Sequence, residues 1–309
     1  MWTLSEMISS AIVTTITMGV FVYLASRKKW KYFIKDKVVL VTGACTPGGL
    51  GISLAGIAKT YEAKTIIITS RKENDGIEAL NFLDGVPGKG NIIHVTLDLN
   101  WPDEKIQSVI ESAWDKVGGI DVVIASAGVS YRGDLLKTSM EVHKNIMQSN
   151  YFGNVSLINS VGNLMKKNKT KDGYFIVGIT SIQGRISIPY RSAYSASKHA
   201  FSAFLDCLKS EVAKDNIRVL SVFPSYIKTN LSKNALRDSG AKHSKLDETT
   251  AKGMNAEEVA SAVFSAIKRG DDELALLDLK SNVALYIRTL APFLYFRIMK
   301  KRAEHSKAY

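Results

Sequence analysis

The side chains best suited to chemistry in this chain cluster in a short stretch, AYSASKHA, at residues 193–200. This stretch places Tyr194 one helical turn before Lys198, within a pattern that predicts a helix. On a helix the two side chains share one face, so the lysine ammonium would favour the ionised form of the phenol. A tyrosine whose pKa is normally about 10 could then donate and accept a proton near neutral pH.

Two further polar residues are expected to complete this group. Ser181 lies at the end of a predicted strand, where its hydroxyl could hydrogen-bond the carbonyl oxygen of a substrate. Asn150, in the stretch SNYFG, would kink a helix and hold a water molecule that relays protons to Lys198. The small residues at 195–197 would leave room for a ribose and a substrate beside Tyr194.

The elements that would position these residues alternate between strand and helix. Helical patterns occupy 50–61, 103–116, 145–166 and 193–213. Buried parallel strands are predicted by runs rich in β-branched residues: KVVLVTG, KTIIITS, NIIHVTLDL, IDVVIASAG, GYFIVGITS and IRVLSVFPS. Strict alternation predicts an α/β fold with a doubly wound parallel sheet of the Rossmann type, in a single domain over residues 35–280.

A glycine-rich turn, TGACTPGGLG at residues 42–51, follows the first predicted strand. Glycines allow a tight turn and let a pyrophosphate approach backbone N–H groups at the start of the next helix. In this position the turn indicates a dinucleotide site more than an ordinary strand-to-helix connection. The expected contacts are Thr42, Gly43, Gly49, Leu50 and Gly51.

The end of the second strand bears on the choice of dinucleotide. An acidic residue there would suit NAD, but the chain has TSRKE, with Ser70, Arg71 and Lys72. A basic pair suits the 2′-phosphate, so NADP is expected ahead of NAD; the alternative is a solvated surface charge cluster. Asp98, just past the third strand, is expected to hold the adenine.

The charge of the chain is strongly positive, with 41 Lys plus Arg against 29 Asp plus Glu and a net charge of +12. Much of the excess lies near the two ends, in RKKWK at 27–31 and RIMKKRAEHSK at 297–307. No zinc-finger spacing or basic recognition helix is present in the sequence, which favours an anionic membrane surface over nucleic acid. The 5 histidines are scattered, so no metal site is expected.

The N-terminal segment, residues 1–34, contains a run from Met7 to Ser26 without formal charge. A helix of that length spans roughly 30 Å, which predicts a single-pass membrane anchor. A cleaved signal peptide is the alternative, but no basic residues precede the run. Basic residues follow it, so the positive-inside rule places the body of the protein in the cytosol. Cys45 and Cys207 agree, because two distant cysteines form no disulfide framework.

The C-terminal segment, residues 281–309, mixes apolar and basic residues and is interrupted by Pro292. This composition predicts an amphipathic segment lying at a membrane interface rather than spanning the membrane. Two alternatives stay open: a helix pair packed on the domain, and a subunit contact in a homodimer. Residues 224–256 are polar and are expected to fold over the cleft as a lid.

Taken together, these motifs resemble the short-chain dehydrogenase/reductase family over about residues 35–280. The glycine turn, Asn150, Ser181, Tyr194 and Lys198 follow one another in the family's order. A membrane-anchored branch of that family is resembled by longer stretches: VSYRG, SNYFGNV, TSIQGRISIPYRSAYSASKHA, TTAKG and RTLAPFLYF.

The resemblance implies an NADP-dependent carbonyl reductase or alcohol dehydrogenase in the membrane of the endoplasmic reticulum or peroxisome. Its substrate would be lipid-like, such as acyl-dihydroxyacetone phosphate, a steroid or a retinoid. The resemblance also implies that Ala127, Gly128 and Thr229 contact the cofactor, together with Tyr194 and Lys198.

The chain departs from the family pattern around the cofactor. More residues separate Gly43 from Gly49 than the family's glycine turn has, ASAG at 125–128 replaces NNAG, and Pro224-Ser225 replaces Pro-Gly. None of these changes touches the four residues expected to carry the chemistry. A second interpretation therefore stays open: a membrane-tethered nucleotide-binding protein without catalysis.

Overall fold

The computed structural model describes residues 34–305 together with Thr14 and Met18. The predicted membrane anchor at 7–26 lies outside the described residues, apart from those two positions. Among the helices of the described part of the chain, none is long and apolar enough to cross a membrane.

A parallel sheet of seven strands forms the centre of the described chain, in the order β3-β2-β1-β4-β6-β7-β9. Its strands are β1 (Val38–Val41), β2 (Thr65–Ser70), β3 (Asn91–Thr96), β4 (Val122–Ala125), β6 (Tyr174–Ile179), β7 (Ile217–Pro224) and β9 (Glu273–Leu276). A second, two-stranded sheet pairs β5 (Tyr131–Arg132) with β8 (Leu236–Arg237) in parallel. The strand order reverses between β1 and β4, which opens a crevice at the carboxyl ends of these strands.

Helices cover both faces of the main sheet. They are α1 (Leu50–Thr60), α2 (Glu73–Asp84), α3 (Asp103–Val117), α4 (Met140–Met147), α5 (Gly153–Lys167), α6 (Ser192–Val212), α7 (Glu248–Ala251), α8 (Ala256–Arg269), α9 (Leu279–Leu290) and α10 (Pro292–His305). The predicted doubly wound α/β fold is confirmed, because strand and helix alternate through the sheet.

The sheet is stable because its strands bury β-branched residues on both faces. One hydrophobic cluster joins the sheet to α1 and α8, and a second joins the other face to α3, α5 and α6. All residues of β1, β2, β4 and β6 are buried. Strand β3 differs from the prediction of a buried strand: it lies at the sheet edge and its residues are partly exposed.

The predicted helix at 145–166 begins earlier and is interrupted. It consists of α4, a π-helical turn at Gln148–Phe152, and α5. Asn150 lies within this π-helical turn, so the helix is irregular at the position where a kink was predicted. Helices α2 and α8 and strand β9 were not among the predicted elements, because their patterns are more polar or shorter than those of the central strands.

The C-terminal segment folds back on the domain as the helix pair α9 and α10. Tyr295 of α10 is buried against Ile182 and Ile186, and its phenol donates a hydrogen bond to the backbone carbonyl of Ser187. The predicted domain boundary at residue 280 falls in the first turn of α9. Of the interpretations left open for this segment, packing on the domain is therefore present in the structure.

Candidate active site

A large cleft opens at the carboxyl ends of the strands and has a volume of about 1500 Å³. One end is lined by the glycine turn and the residues after β2 and β3. The other end is lined by the predicted lid and by helices α9 and α10. Ser181, Tyr194 and Lys198 lie on the wall of this cleft.

The glycine turn presents the start of α1 to this cleft. Gly49 is the N-terminal cap of α1 and provides no side-chain hydrogen bond, and the first turn contains no acidic residue. The backbone N–H groups of that turn are therefore suited to an anionic group, which the helix dipole also favours. A Cβ on Gly51 would overlap the carbonyl oxygen of Gly43, so the turn requires glycine there. These features fit a dinucleotide pyrophosphate.

Thr42 holds the segment ASAG that follows β4. Its hydroxyl oxygen accepts hydrogen bonds from the backbone N–H groups of Ser126, at 3.0 Å, and Ala127, at 3.1 Å. Gly128 follows, and a Cβ there would lie 3.0 Å from the amide oxygen of Asn150 and 3.6 Å from Nζ of Lys198. The segment after β4 is thereby held close to the expected catalytic residues.

The residues expected to read the adenosine half all line the nucleotide end of the cleft. Arg71 is exposed there, whereas Ser70 is buried and its hydroxyl donates to the backbone carbonyl of Lys72 at 2.6 Å. Asp98 accepts hydrogen bonds from the backbone and side chain of Asn100. Thr229, from the predicted lid, lines the cleft farther along.

Cys45 was not predicted to belong to this site, yet it lines the cleft within the glycine turn. Burial raises the pKa of its thiol, and the charges of Asp75 and Arg71 both act on it. The charges that face the adenosine half therefore include the acidic Asp75 as well as Arg71.

Tyr194 and Ser181 meet at the centre of the cleft. The phenol is buried, and burial raises its pKa, while a hydrogen bond from Ser181 and the charge of Arg132 act to lower it. The hydroxyl of Ser181 also accepts a hydrogen bond from the backbone N–H of Gln183 at 3.2 Å. An oxygen atom of a ligand placed beside Tyr194 would therefore meet two hydroxyl groups.

Lys198 is buried, and its amine hydrogen-bonds the backbone at the end of β6. Its Nζ atom donates to the backbone carbonyl of Ile179 at 2.9 Å and lies 5.8 Å from the centre of the Tyr194 ring. Burial lowers the pKa of Lys198 to about 8. The predicted favouring of the phenolate by Lys198 stays a prediction, and the charge of Arg132 also acts to lower the pKa of Tyr194.

Asn150 connects the segment after β4 to α6. Its amide oxygen accepts from the backbone N–H of Val129 at 2.7 Å, and its amide nitrogen donates to Val129 O and to Ser197 Oγ, both at 2.9 Å. Its backbone carbonyl accepts from Asn154 at 3.1 Å. These contacts make Asn150 a brace in this structure, and its expected relay through water stays a prediction.

The small residues between Tyr194 and Lys198 serve packing rather than ligand space. Ser195 donates to the side chain of Gln183 at 2.9 Å, and Ser197 donates to the backbone carbonyl of Tyr194 at 2.8 Å. Both serines are buried and neither lines the cleft. The expectation that residues 195–197 leave room for a ribose and a substrate is therefore wrong.

Sequence reasoning missed a buried ion-pair cluster beside Tyr194. Arg132 of β5 and Arg191, which precedes α6, both bind the carboxylate of Asp247. His243 contacts the other carboxylate oxygen at 3.2 Å. The stretch VSYRG contained the signal, since Arg132 is a charged residue within an otherwise apolar strand pattern.

The predicted lid borders the cleft along much of its length. Asp247 ties this segment to the domain, and β8 pairs with β5 beneath it. Tyr226 lines the cleft, and its phenol accepts a hydrogen bond from Arg302 of α10 at 3.0 Å. Among the described residues no group of His, Cys, Asp and Glu is arranged to hold a metal ion.

The fold and the cleft define a dinucleotide-binding oxidoreductase, and comparison of the sequence with family models agrees. Residues 37–240 match the short chain dehydrogenase model. The chain belongs to the short-chain dehydrogenase/reductase family, whose members are oxidoreductases, and the predicted family is thereby confirmed.

Among curated proteins, the chain is similar to Dehydrogenase/reductase SDR family member 7B of Mus musculus, with 40% identity over 92% of this chain and 86% of the mouse protein. It is also similar to Dehydrogenase/reductase SDR family protein 7-like of Anopheles gambiae, with 39% identity over 98% of this chain and 94% of that protein. These relatives support a general dehydrogenase or reductase activity.

Solved structures show the same fold. A short chain dehydrogenase from Burkholderia cenocepacia in complex with NADP has a TM-score of 0.69 and 24% identity over 86% of this chain and 99% of its own. A short chain dehydrogenase/reductase from Burkholderia phymatum in complex with NAD has a TM-score of 0.74 and 18% identity over 85% of this chain and 96% of its own. A nicotinamide cofactor is supported for this fold, and the two neighbours differ in which one they bind.

Proposed function

We propose that this protein is a membrane-associated, NADP-dependent oxidoreductase that interconverts a carbonyl and an alcohol on a lipid-like substrate. The observation that carries the proposal is the meeting of Tyr194 and Ser181 in the cleft that the glycine turn also lines. Two hydroxyl groups there can share the oxygen atom of a carbonyl, next to a site suited to a dinucleotide.

Each residue then has a task that its contacts support. Tyr194 gives a proton to the substrate oxygen during reduction and takes it back during oxidation, while Ser181 holds that oxygen by a hydrogen bond. The bound cofactor supplies or accepts the hydride. Lys198 lies one helical turn from Tyr194 and can hydrogen-bond a ribose hydroxyl from the cleft wall. Asn150 braces the segment that carries Gly128 next to Lys198.

A preference for NADP over NAD is supported by the basic pair at the adenosine end. Arg71 and Lys72 are exposed on this wall, where their charge is available to a 2′-phosphate. Asp75 lies on the same wall and opposes them. We infer NADP because the two cationic side chains are adjacent directly after β2, whereas the carboxylates of this end, Asp75 and Asp98, lie on separate elements.

A lipid-like substrate is supported by the composition of the other end of the cleft. Its apolar lining includes Ile182, Ile186, Ile188, Leu231, Met254 and Met299. Basic side chains surround these, namely Lys242, Lys252, Lys280 and Arg302. An apolar chain with an anionic group, such as acyl-dihydroxyacetone phosphate, satisfies both features, whereas a steroid or retinoid uses only the apolar one.

Association with a membrane is supported by the outer face of α9 and α10. Leu279, Leu290 and Phe293 are each 78% exposed, which is unusual for large apolar side chains. Basic residues of the same helices accompany them, including Arg297, Lys300 and Lys301. This combination suits the interface of an anionic bilayer, to which the predicted anchor at 7–26 would also bind. We propose that the protein lies in the membrane of the endoplasmic reticulum or peroxisome with its domain in the cytosol. A homodimer that forms through the same face of α9 and α10 is the alternative role for this surface.

The test has two stages that separate an enzyme from a nucleotide-binding protein without catalysis. NADPH and NADH are first titrated onto the full chain in detergent, with fluorescence of the reduced cofactor as the signal. Turnover is then screened with long-chain ketones, acyl-dihydroxyacetone phosphate, steroids and retinoids. Turnover of a lipid carbonyl with NADPH supports the proposal, whereas tight NADPH binding without turnover across the screen supports the non-catalytic interpretation.

A further inference from the structure

His94 of β3 lies behind the adenosine end of the cleft without lining it. It pairs in register with Ile68 of β2, and Ser70 follows Ile68 two residues later. Because side chains two residues apart on a strand share one face of the sheet, Ser70 and His94 point to the same side. Nε2 of His94 is 2.7 Å from the hydroxyl oxygen of Ser70, so a hydrogen bond joins the two strands next to the cleft.

The direction of this hydrogen bond follows from the second bond of Ser70. The hydroxyl of Ser70 donates to the backbone carbonyl of Lys72 at 2.6 Å, and a hydroxyl has only one proton to donate. The oxygen of Ser70 therefore accepts from the Nε2–H group of His94. Each bond in such a chain polarises the next, so the loss of His94 would also weaken the bond from Ser70 to Lys72.

The imidazole of His94 is held in this orientation by the start of α2. A Cβ on Gly76 would overlap Nε2 of the ring, so the helix backbone packs directly on the imidazole. The backbone N–H of Gly76 donates at 3.3 Å to the carbonyl oxygen of Lys72, which is the oxygen that also accepts from Ser70. Burial lowers the pKa of His94, although the charge of Glu73 acts to raise it, and a neutral ring has one proton to place on Nε2.

The connection shaped by these bonds consists of Arg71 and Lys72. Strand β2 ends at Ser70 and α2 begins at Glu73, so the two basic residues form the whole connection. Lys72 is the N-terminal cap of α2, and its side chain makes no capping hydrogen bond. Both basic side chains are exposed on the cleft wall, so the path of their backbone decides where the two charges point.

We propose that His94 is a positioning residue for cofactor selection, which acts through Ser70 to fix the connection that presents Arg71 and Lys72 to the 2′-phosphate of NADP. Without the donor at Nε2, the hydroxyl of Ser70 can turn to another staggered rotamer, and its bond to Lys72 is lost. Binding of the rest of the nucleotide does not depend on His94, because β2 stays paired with β1 and β3. The inference rests on the NADP preference of the proposed function.

The test compares two nucleotides that differ only in the 2′-phosphate, adenosine 2′,5′-bisphosphate and adenosine 5′-monophosphate. Isothermal titration of the full chain in detergent measures both affinities and requires no turnover. His94→Leu is expected to weaken binding of the bisphosphate by about tenfold, the loss of one charge-assisted hydrogen bond, and to change binding of the monophosphate by less than about twofold. An equal loss for both nucleotides would mean that His94 only supports the fold of the adenosine end, and it overturns the proposal.

Two amide substitutions separate the hydrogen bond from the imidazole ring. The amide nitrogen of glutamine reaches about as far along the side chain as Nε2 of histidine, whereas that of asparagine falls short of Ser70. His94→Gln should therefore keep the bisphosphate affinity within about threefold of the unmodified chain, and His94→Asn should lose about as much as His94→Leu. Equal affinities in the two amide variants overturn the role of the hydrogen bond. The amide pair also decides the question should His94→Leu fail to fold, which circular dichroism detects.

Ser70→Ala shows whether His94 acts through Ser70. If it does, His94→Leu added to Ser70→Ala causes no further loss of bisphosphate affinity, whereas additive losses overturn this route. His143→Leu is the control, because His143 is a half-buried histidine of α4 that does not line the cleft. This control should change neither affinity.

A failure of the proposed function gives a different result. An unmodified chain that binds the two nucleotides equally overturns the NADP preference, and this inference with it. An unmodified chain that prefers the bisphosphate, and that keeps this preference in His94→Leu and His94→Asn, overturns only the role of His94.

Discussion

The Nζ atom of Lys198 donates to the carbonyl oxygen of Ile179 at 2.9 Å and so joins the middle of the catalytic helix α6 to the end of strand β6. Burial of the amine lowers the pKa of Lys198 to about 8. The hydrogen bond to Ile179 partly offsets this effect, because it favours the charged amine. The unfolded chain therefore binds a proton at this residue over a pH range in which the folded chain has lost it. The stability of the protein depends on pH as a result.

Replacing Lys198 with methionine tests this dependence. Between pH 8 and the ordinary lysine pKa of 10.5, the free energy of unfolding of the unmodified chain should rise with pH because of Lys198. Below pH 8 both the folded and the unfolded chain bind the proton, so this contribution should be flat and at its lowest there. The total change from this one group is about 3 kcal/mol. Denaturant unfolding of both chains at several pH values gives the difference between their free energies of unfolding. This difference should change with pH between 8 and 10.5, and a difference that stays constant there would mean that the pKa of Lys198 is ordinary. Lys116→Met, at an exposed position on α3, provides the baseline.

Tyr194→Phe should retain NADPH binding and lose turnover by two or more orders of magnitude, the range for removal of a general acid. The matched control is Tyr226→Phe, since Tyr226 lines the same cleft but its phenol is bonded to Arg302. That control should lose less than about tenfold, because no proton is transferred by Tyr226. Steady-state kinetics and cofactor titration on all three chains provide the comparison, and near-normal turnover by Tyr194→Phe would exclude Tyr194 as the proton donor.

Arg71→Asp should weaken NADPH binding by about 1–3 kcal/mol while leaving NADH binding little changed, because only the 2′-phosphate loses a charge-assisted contact. Isothermal titration with each cofactor measures the two affinities. The same charge reversal at Lys116, away from the cleft, should affect neither cofactor. An equal loss for NADPH and NADH would mean that Arg71 supports the fold of the adenosine end rather than binding the phosphate.

A chain lacking residues 1–26 should still bind anionic vesicles through α9 and α10, and its affinity should fall as salt rises. Leu290→Ser with Phe293→Ser removes apolar side chains that are each 78% exposed and should abolish binding at every salt concentration. Leu136→Ser with Met140→Ser removes side chains that are 91% and 67% exposed elsewhere, and should leave binding intact. Co-sedimentation with vesicles measures all three. If the truncated chain ignores anionic vesicles at low salt, the C-terminal helices are not a membrane contact.

Much of the fold could be predicted from local sequence patterns. The β-branched runs became buried parallel strands because parallel sheets bury both faces, and this composition is visible without any knowledge of neighbours. The glycine turn met the start of α1 as predicted, since Gly51 must be close to Gly43 for the turn to close. The edge position of β3 could not be predicted from its own sequence. A strand lies at the edge when no other strand pairs with its second side, and this depends on the order of all strands in the sheet.

For the candidate site, the sequence by itself determined which residues could meet: the spacing of Tyr194 and Lys198 on one helix and the place of Ser181 after a strand follow from helical and strand periodicity. The tertiary structure alone decided which groups act on one another. Lys198 hydrogen-bonds the backbone carbonyl of Ile179, and Asp247 binds Arg132 and Arg191, which lie far from it along the chain. The physical reason is that a pKa depends on burial and on charges within a few ångströms, and these are set by the packing of distant elements, which no local pattern records.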